Sequence, residues 1–439
     1  MSIVKKFLFI IFVVGIASAK VSGQAARSPF TTFGIGEPYG NSLIQSQGMA
    51  GVGVSQPQYW YINNQNPALL VYNMNTMFQA GIVGERRDLR GDTLQQRSIN
   101  GNLNYLVTAF NVSRKPGRWT TSLGLMPYTT VNYEFESAIQ TLDANGAVVD
   151  TASVYESGDG GLNQFYWSNG VRLNKNFSVG LKAAYLFGPV QTTYSSSISS
   201  AEQSFPFVVI IEEKTNVKDF LFSLGGHYSK DSLGRKNKYR FSAGAVYEFG
   251  TKLKAKRRGE VTRTTPGGSI INADTLFTRN GRIKLPGSLT LGVSLASGMK
   301  WSVGTEFTYQ DWSQFESINQ DDEGLGKSWK IALGSEITPD ALAFENYLKR
   351  ITYRLGLSYE RTPFIVDNAE EGTSPILNPV NDFGINFGFS LPAGRSSLDF
   401  AFKAGKRGNR QDNVFEENYF KVYFGLTFND QWFIKRKFD

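Results

Sequence analysis

The 439-residue chain contains no cysteine and a single histidine. The first absence excludes disulfides, thiolate metal sites, thiol catalysis and a cysteine-linked lipid anchor. The second leaves no pair of imidazoles for a transition-metal site, and a Ser-His-acid set would need assembly from distant parts. Neither an enzyme nor a cofactor or metal is expected. Beyond residue 23 the chain also lacks any run of 18 apolar residues, so no transmembrane helix is expected. If such a chain resides in a membrane it must cross as a closed β-barrel, because only closure satisfies every backbone group in lipid.

Glycine (45 residues) and aromatic side chains (14%) are abundant. Residues 1–23 read as a signal peptide: Lys5 and Lys6 precede the apolar run 7–16 and a small-residue stretch. Cleavage follows either Ala19 or Gly23. Removing the three lysines of this segment takes the formal charge from +8 to +5. That excess suits an anionic membrane surface, and no motif for nucleic-acid recognition accompanies it.

The mature sequence alternates with period two. In 177–188, Phe177, Val179, Leu181, Ala183, Tyr185 and Phe187 share one face, opposite Ser178, Gly180, Lys182 and Gly188. The same reading yields about fourteen strands, near 76–84, 102–112, 119–128, 163–173, 177–188, 217–229 and 239–250, then 284–295, 301–310, 328–336, 352–360, 382–391, 397–405 and 418–428. Most approach the nine to eleven residues that cross a bilayer at a tilt. Lys182, Arg240, Glu248, Glu306, Lys330, Glu336, Arg354, Glu360, Asp399, Lys403 and Lys421 all oppose the aromatics, and a charge facing lipid at mid-bilayer would cost about 2–4 kcal/mol. A soluble sandwich also alternates, but here long and short connections take turns, as in barrels with extended outer loops and tight periplasmic turns. The long ones are 85–101, 129–162, 190–216, 251–283, 311–327, 361–381 and 406–417. An even strand count places both ends in the periplasm. The exception, 337–351, has room for a helical turn at Pro339 to Leu342.

Residues 24–75 do not alternate and carry Pro29, Pro38, Pro57 and Pro67. About fifty residues exceed a simple lead-in, and a barrel of fourteen strands is too wide for its own side chains to fill. The expected organisation is therefore a signal peptide (1–23), a plug folded into the lumen (24–75) and an all-β transmembrane antiparallel barrel (76–439) with a short periplasmic tail. A periplasmic tail in place of the plug is the alternative.

Ser28-Pro29-Phe30, Phe33-Gly34-Ile35-Gly36, Gln47-Gly48-Met49-Ala50-Gly51-Val52-Gly53 and Asn66-Pro67-Ala68-Leu69 resemble the FadL-type outer-membrane transporters of hydrophobic compounds, in the form found across Bacteroidetes. Leu285-Pro286, Asp311-Trp312-Ser313, Tyr353-Arg354-Leu355-Gly356 and Glu417-Asn418-Tyr419-Phe420 extend the likeness along the mature chain. The resemblance implies a bacterial outer-membrane location and a hatch containing Gly48, Met49, Gly51, Gly53, Asn66, Pro67 and Ala68. It also implies passive uptake of a fatty-acid-like molecule with lateral release into the membrane. In that family a kink in the third strand makes the side opening; Pro127 interrupts the third strand here and is the candidate gate, with a bulge at the membrane edge as the alternative. Barrels of this type also serve as non-transport subunits of secretion or assembly complexes, and that reading stays open.

Three further features stand out. His227 shares the lumen parity of Leu221, Ser223 and Gly225. Lys252, Lys254, Lys256, Arg257, Arg258 and Arg263 form an outer basic run, fit either for lipopolysaccharide phosphates or for a solvated hairpin. Phe205, Phe207, Val208, Val209, Ile210 and Ile211 form an apolar stretch in an outer loop, suited to packing over the mouth, to a ligand or to a partner protein. Expected partners are outer-membrane lipid, lipopolysaccharide, a hydrophobic ligand and other outer-membrane proteins. Acidic pairs such as Asp321-Asp322 and Glu370-Glu371 read as solvated loop charge, with calcium the alternative.

Overall fold

The structure, a computed structural model, describes residues 26–91, 95–113, 115–142, 148–199, 207–234, 238–319, 324–367 and 376–430. The expected signal peptide, Phe205, the acidic pairs Asp321-Asp322 and Glu370-Glu371, and the tail bearing Trp432 and Phe433 lie outside these residues. No helix of the described residues is long and apolar enough to cross a membrane.

Fourteen antiparallel strands close into a barrel. They are β1 (Thr76–Arg90), β2 (Gln95–Asn111), β3 (Trp119–Pro127), β4 (Asn163–Arg172), β5 (Phe177–Ser199), β6 (Val208–Leu233) and β7 (Tyr239–Glu248). The second half supplies β8 (Ser288–Ser297), β9 (Trp301–Asp311), β10 (Lys327–Ile337), β11 (Thr352–Asp367), β12 (Leu377–Ala393), β13 (Ser396–Arg407) and β14 (Glu416–Asp430). Each pairs with the next, and β14 closes on β1 with Asp430 opposite Thr76 and Glu416 opposite Arg90. All fourteen fall where the alternation predicts them. Closure leaves no free edge along most of the wall, and inter-strand pairing holds the fold without any disulfide.

Side chains alternate as the pairing demands. On β6 Phe220, Phe222 and Leu224 stand about half exposed on the outer surface, while Leu221, Ser223 and His227 are buried inside. Lys182, Arg354 and Asp399 are buried in the lumen. Outward phenylalanines on β12, β13 and β14 pack across strands, with Phe389 and Phe400 rings stacked 5.0 Å apart and Phe400 and Phe424 tilted at 5.2 Å. Such cross-strand aromatic pairs add about 0.2–1 kcal/mol each to a wall that faces lipid.

The described residues of two of the expected long loops pair as strands. Thr129–Leu142 pairs with Val148–Gly160, whose outer edge joins β5. Thr251–Thr264 pairs with Ile270–Leu285 and with the far half of β6. The described parts of 190–216 likewise continue β5 and β6 as strand, so Val208 to Ile211 belong to sheet rather than to an irregular loop, and Phe207 immediately precedes it. Backbone that leaves the membrane keeps its ladder because pairing satisfies its amides in water too. The connection 338–351 does contain a helical turn, at Tyr347–Arg350 instead of 339–342. There Asn346 Oδ1 accepts from Leu348 N at 3.0 Å and caps it.

The β2–β3 ladder stops early. It runs from Asn111–Thr120 to Leu106–Leu125, while β2 continues to Gln95 paired with β1 alone. Pro127 lies just past the end of that ladder and keeps its partner Asn163 on β4. A residue without an N–H is tolerated there because no β2 carbonyl is opposite it.

Candidate functional site

The site is the lumen, and residues 26–75 build it. Their fold is local and side-chain directed. Gly51 and Ala50 take positive φ (91° and 57°), turning the chain back after the short helix Ile44–Gln47. Asn63 Oδ1 accepts from the amides of Gln65 and Asn66 at 3.0 Å each, and its Nδ2 donates to Gly53 O at 2.8 Å. Asn66 Oδ1 then accepts from Ala68 N at 3.0 Å and caps the turn Pro67–Tyr72. The Asn66 Nδ2 group ties that turn to Val54 O (2.8 Å) and to Gly226 O of β6 (3.1 Å).

The segment meets the wall backbone to backbone. A Cβ added at Gly356 or Gly334 would collide with Met49, and one at Gly244 with the Val54 carbonyl. Added carbons at Gly225, Gly180 and Gly170 would strike Asn66 and Pro67, and Gly48 packs on Gly388. Glycines from seven strands thus form a track on which 48–67 lies. Polar wall groups complete the fit. The Glu306 carboxylate accepts from Gly53 N (3.0 Å) and Val54 N (2.9 Å), and Asn386 Nδ2 donates to Gln47 O at 2.6 Å. Gln45 donates to Asp399 at 3.1 Å, and Gln56 donates to Glu336 at 3.1 Å.

An ionic cluster pins the outer end of the segment. Glu37 receives Arg407 at 2.7 Å and Arg87 at 2.9 Å. Arg407 also binds Asp382 (3.0 Å), Arg87 reaches Glu417 and Glu85 (3.3 Å each), and Lys421 meets Glu85 at 3.0 Å. Burial alone would push the Glu37 carboxyl up, but the Arg407 and Arg87 guanidiniums hold it well below the usual carboxylate range. Glu37–Pro38 also pairs with Thr129–Thr130. Close by, residues 26–28 span the gap between β2 and the first outer hairpin. Arg27 N donates to Ser98 on β2 (3.0 Å), Ser28 N donates to Asn132 O (2.9 Å), and the Arg27 guanidinium pairs with Glu134.

Between these two anchorages lies a chamber of about 320 Å³. Lys182, Glu248, Glu306, Lys330 and Lys403 line it together with Tyr128. Lys182 donates to Asn41 Oδ1 at 3.1 Å, and Tyr128 donates to Glu248 at 3.4 Å. Such a space suits water and polar solutes; stripping water from these charges for a hydrocarbon would cost several kcal/mol per ion.

All the candidate hatch residues lie in this lumen-filling segment and are buried or nearly so. Pro127 lies apart from them, at the seam. His227 is buried against Tyr72, with its Nδ1 3.5 Å from the hydroxyl and the rings edge to face at 5.4 Å. Val208 to Ile211 stand far out on β6, paired with Val261 to Thr264 of the second outer hairpin, and Phe207 lies just before that strand. Of the basic run, Arg257 pairs with Glu213 and Arg258 with Glu260. Among the described residues no group of three His, Cys, Asp or Glu side chains is placed to hold a metal. The ionic cluster and the glycine track were missed by sequence reasoning. Parity put members of both on the lumen face, Lys421 for the cluster and Gly180 for the track, but gave them no partners.

The BamG family model matches residues 3–439. No curated protein matches. Among solved structures, the Pseudomonas putida toluene transporter TodX aligns at TM-score 0.55 and 12% identity, covering 91% of this chain and 100% of that one. A Pseudomonas aeruginosa FadL homologue aligns at 0.53 and 13% identity over 89% and 98% of the two chains. The CymD monoaromatic hydrocarbon channel aligns at 0.52 and 14%, over 91% and 99%. At such identities the likeness is one of fold: a closed fourteen-strand antiparallel β-barrel.

Proposed function

The chain belongs to the BamG family, and on that premise we propose that it is a non-transporting accessory barrel, a structural subunit of a bacterial outer-membrane protein secretion or assembly complex. In this reading residues 26–75 are a permanent plug, and both termini face the periplasm. The observation that carries it is the contact of 48–67 with wall glycines, which leaves no room for a solute between plug and wall along that track. The remaining chamber is charged, unsuited to an apolar cargo. The test is purification of the full chain in gentle detergent from native membranes, with mass spectrometry of proteins and lipids. Stoichiometric outer-membrane partners are expected. Recovery only as a free barrel, together with loss of hydrophobic-compound uptake on deletion, would overturn the reading.

One observation favours a second reading, passive uptake of a hydrophobic small molecule with lateral release. The seam beyond Leu106 and Leu125 is a break in the wall beside Pro127, bridged by residues 26–38. Here those residues act as a shutter over a side exit. An engineered disulfide between Arg27→Cys and Ser98→Cys, which are in contact across the seam, pins this shutter to β2; uptake left untouched by it would remove this alternative.

A further inference from the structure

On the outer surface the wall has a hollow. Along one rung of the sheet Val179, Gly226, Ala245, Leu291, Phe307 and Ile331 are register neighbours from β5 to β10. On the next rung Ala243 lies between Tyr228 and Val293. Large side chains at both ends and small ones at the centre leave an apolar groove of about 850 Å³. A Cβ built on Gly226 would meet nothing within 4 Å, so the floor is open rather than filled. A lipid-facing wall normally has no reason to leave such a gap, since dispersion contacts are lost wherever acyl chains cannot follow the surface.

The groove leads to the tight turn between β4 and β5, where Lys175, Asn176 and Lys230 line an adjoining recess of about 500 Å³. Phe177 and Tyr228, with ring centroids 4.7 Å apart, belong to both spaces. The turn is rigid. Asn174 Oδ1 accepts from Asn176 N and Phe177 N at 2.9 Å, and Asn176 Nδ2 donates to Ser229 O at 2.7 Å. Neighbouring Asp231 is engaged by Arg240, which leaves Lys175 and Lys230 without an acidic partner among the described residues.

We propose that this is a binding site for one anionic glycerophospholipid of the periplasmic leaflet. Its phosphate lies between Lys175 and Lys230, and one acyl chain fills the groove over Gly226, Ala243 and Ala245. The leaflet assignment rests on the orientation proposed above, with short turns in the periplasm. The occupant follows from complementarity: two lysines at the membrane edge want an anion, and an apolar groove that opens from that edge wants a chain attached to it.

Native mass spectrometry of the full chain, taken from nanodiscs of phosphatidylcholine doped with phosphatidylglycerol, tests this. Retention of phosphatidylglycerol is expected, and a Gly226→Leu, Ala243→Leu variant should lose it while keeping the gel-mobility shift of a folded barrel. Lys175→Gln and Lys230→Gln should each lower the preference for phosphatidylglycerol over phosphatidylcholine about fivefold. Gly226→Leu alone serves if the double variant does not fold. Equal lipid retention by wild type and groove-filled variants would overturn the proposal, as would retention of lipid A alone from native membranes. Partner proteins in the same preparation report on the accessory-subunit reading separately.

Discussion

Replacing Glu37 by Gln should release the outer end of the N-terminal segment. Glu37 holds two guanidiniums at once, Arg407 at 2.7 Å and Arg87 at 2.9 Å, in a buried cluster where Glu85, Asp382 and Glu417 face Lys421 and Lys403 as well. Breaking a buried pair by removing one partner costs about 3–5 kcal/mol. The other three acids still engage both arginines, so the lower end applies, roughly a hundredfold in a local opening equilibrium. Hydrogen exchange of the chain in nanodiscs reads this directly: peptides covering 26–43 should lose about two orders of magnitude of protection, and β8 to β10 should not change. Because the Glu37 carboxyl is held below its ordinary range, its pairing stabilises the segment fully above about pH 4.3 and fades only as pH falls through the lower folded value. Wild-type protection, corrected for intrinsic exchange, should therefore be flat between about pH 5 and 8. Unchanged protection in Glu37→Gln would mean that the cluster does not hold the segment.

Other substitutions probe other contacts. Gly244→Val places a side chain on the Val54 carbonyl, where backbone cannot yield, and should displace 48–54 and lower the heat-modifiability midpoint; Gly226→Ala, facing open space, should leave it unmoved. Pro127→Ala restores an N–H at the seam, so unchanged uptake and seam geometry would count against a gate there. In the connection 338–351, Phe344 is fully exposed and Leu342 and Leu348 largely so, an apolar tip that costs little to lose in the free barrel. Phe344→Glu should reduce partner co-purification without altering the barrel; full recovery of partners would exclude this tip from the interface.

The strands were legible because a membrane wall imposes two constraints at every second residue, apolar out and polar in. β5, β7 and β14 therefore announce themselves by alternation alone. Above the membrane one constraint disappears. Ile270–Leu285 is exposed on both faces over most of its length, so its pairing leaves no periodic trace. The lumen was legible in parity but not in partnership. Arg407 and Glu37 lie 370 residues apart, and only closure of the barrel brings them together. The glycines carried the least linear signal. Gly356 and Gly244 look like any small residue in a strand until Met49 and Val54 are seen to occupy the space a side chain would take.

A shared barrel does not entail a shared activity, because function resides in what fills the scaffold. Fourteen strands enclose a space wider than their own side chains fill, and this chain fills it with backbone against glycine and with paired charge. On the proposed accessory-barrel reading, closure is written into the wall as well as into residues 26–75. Removing the segment would uncover Glu306, Glu336, Arg354 and Asp399, side chains now engaged by Gln45, Gln56 and their neighbours, and would leave a wide, charged conduit rather than an apolar one. Deletion of 26–75, with insertion checked by the gel-mobility shift, should therefore give large, ion-conducting steps in planar bilayers and no gain in uptake of a hydrophobic compound. A deleted barrel that folds and still fails to conduct, or that takes up the hydrophobic compound faster than wild type, would show that the wall itself is built for an apolar cargo.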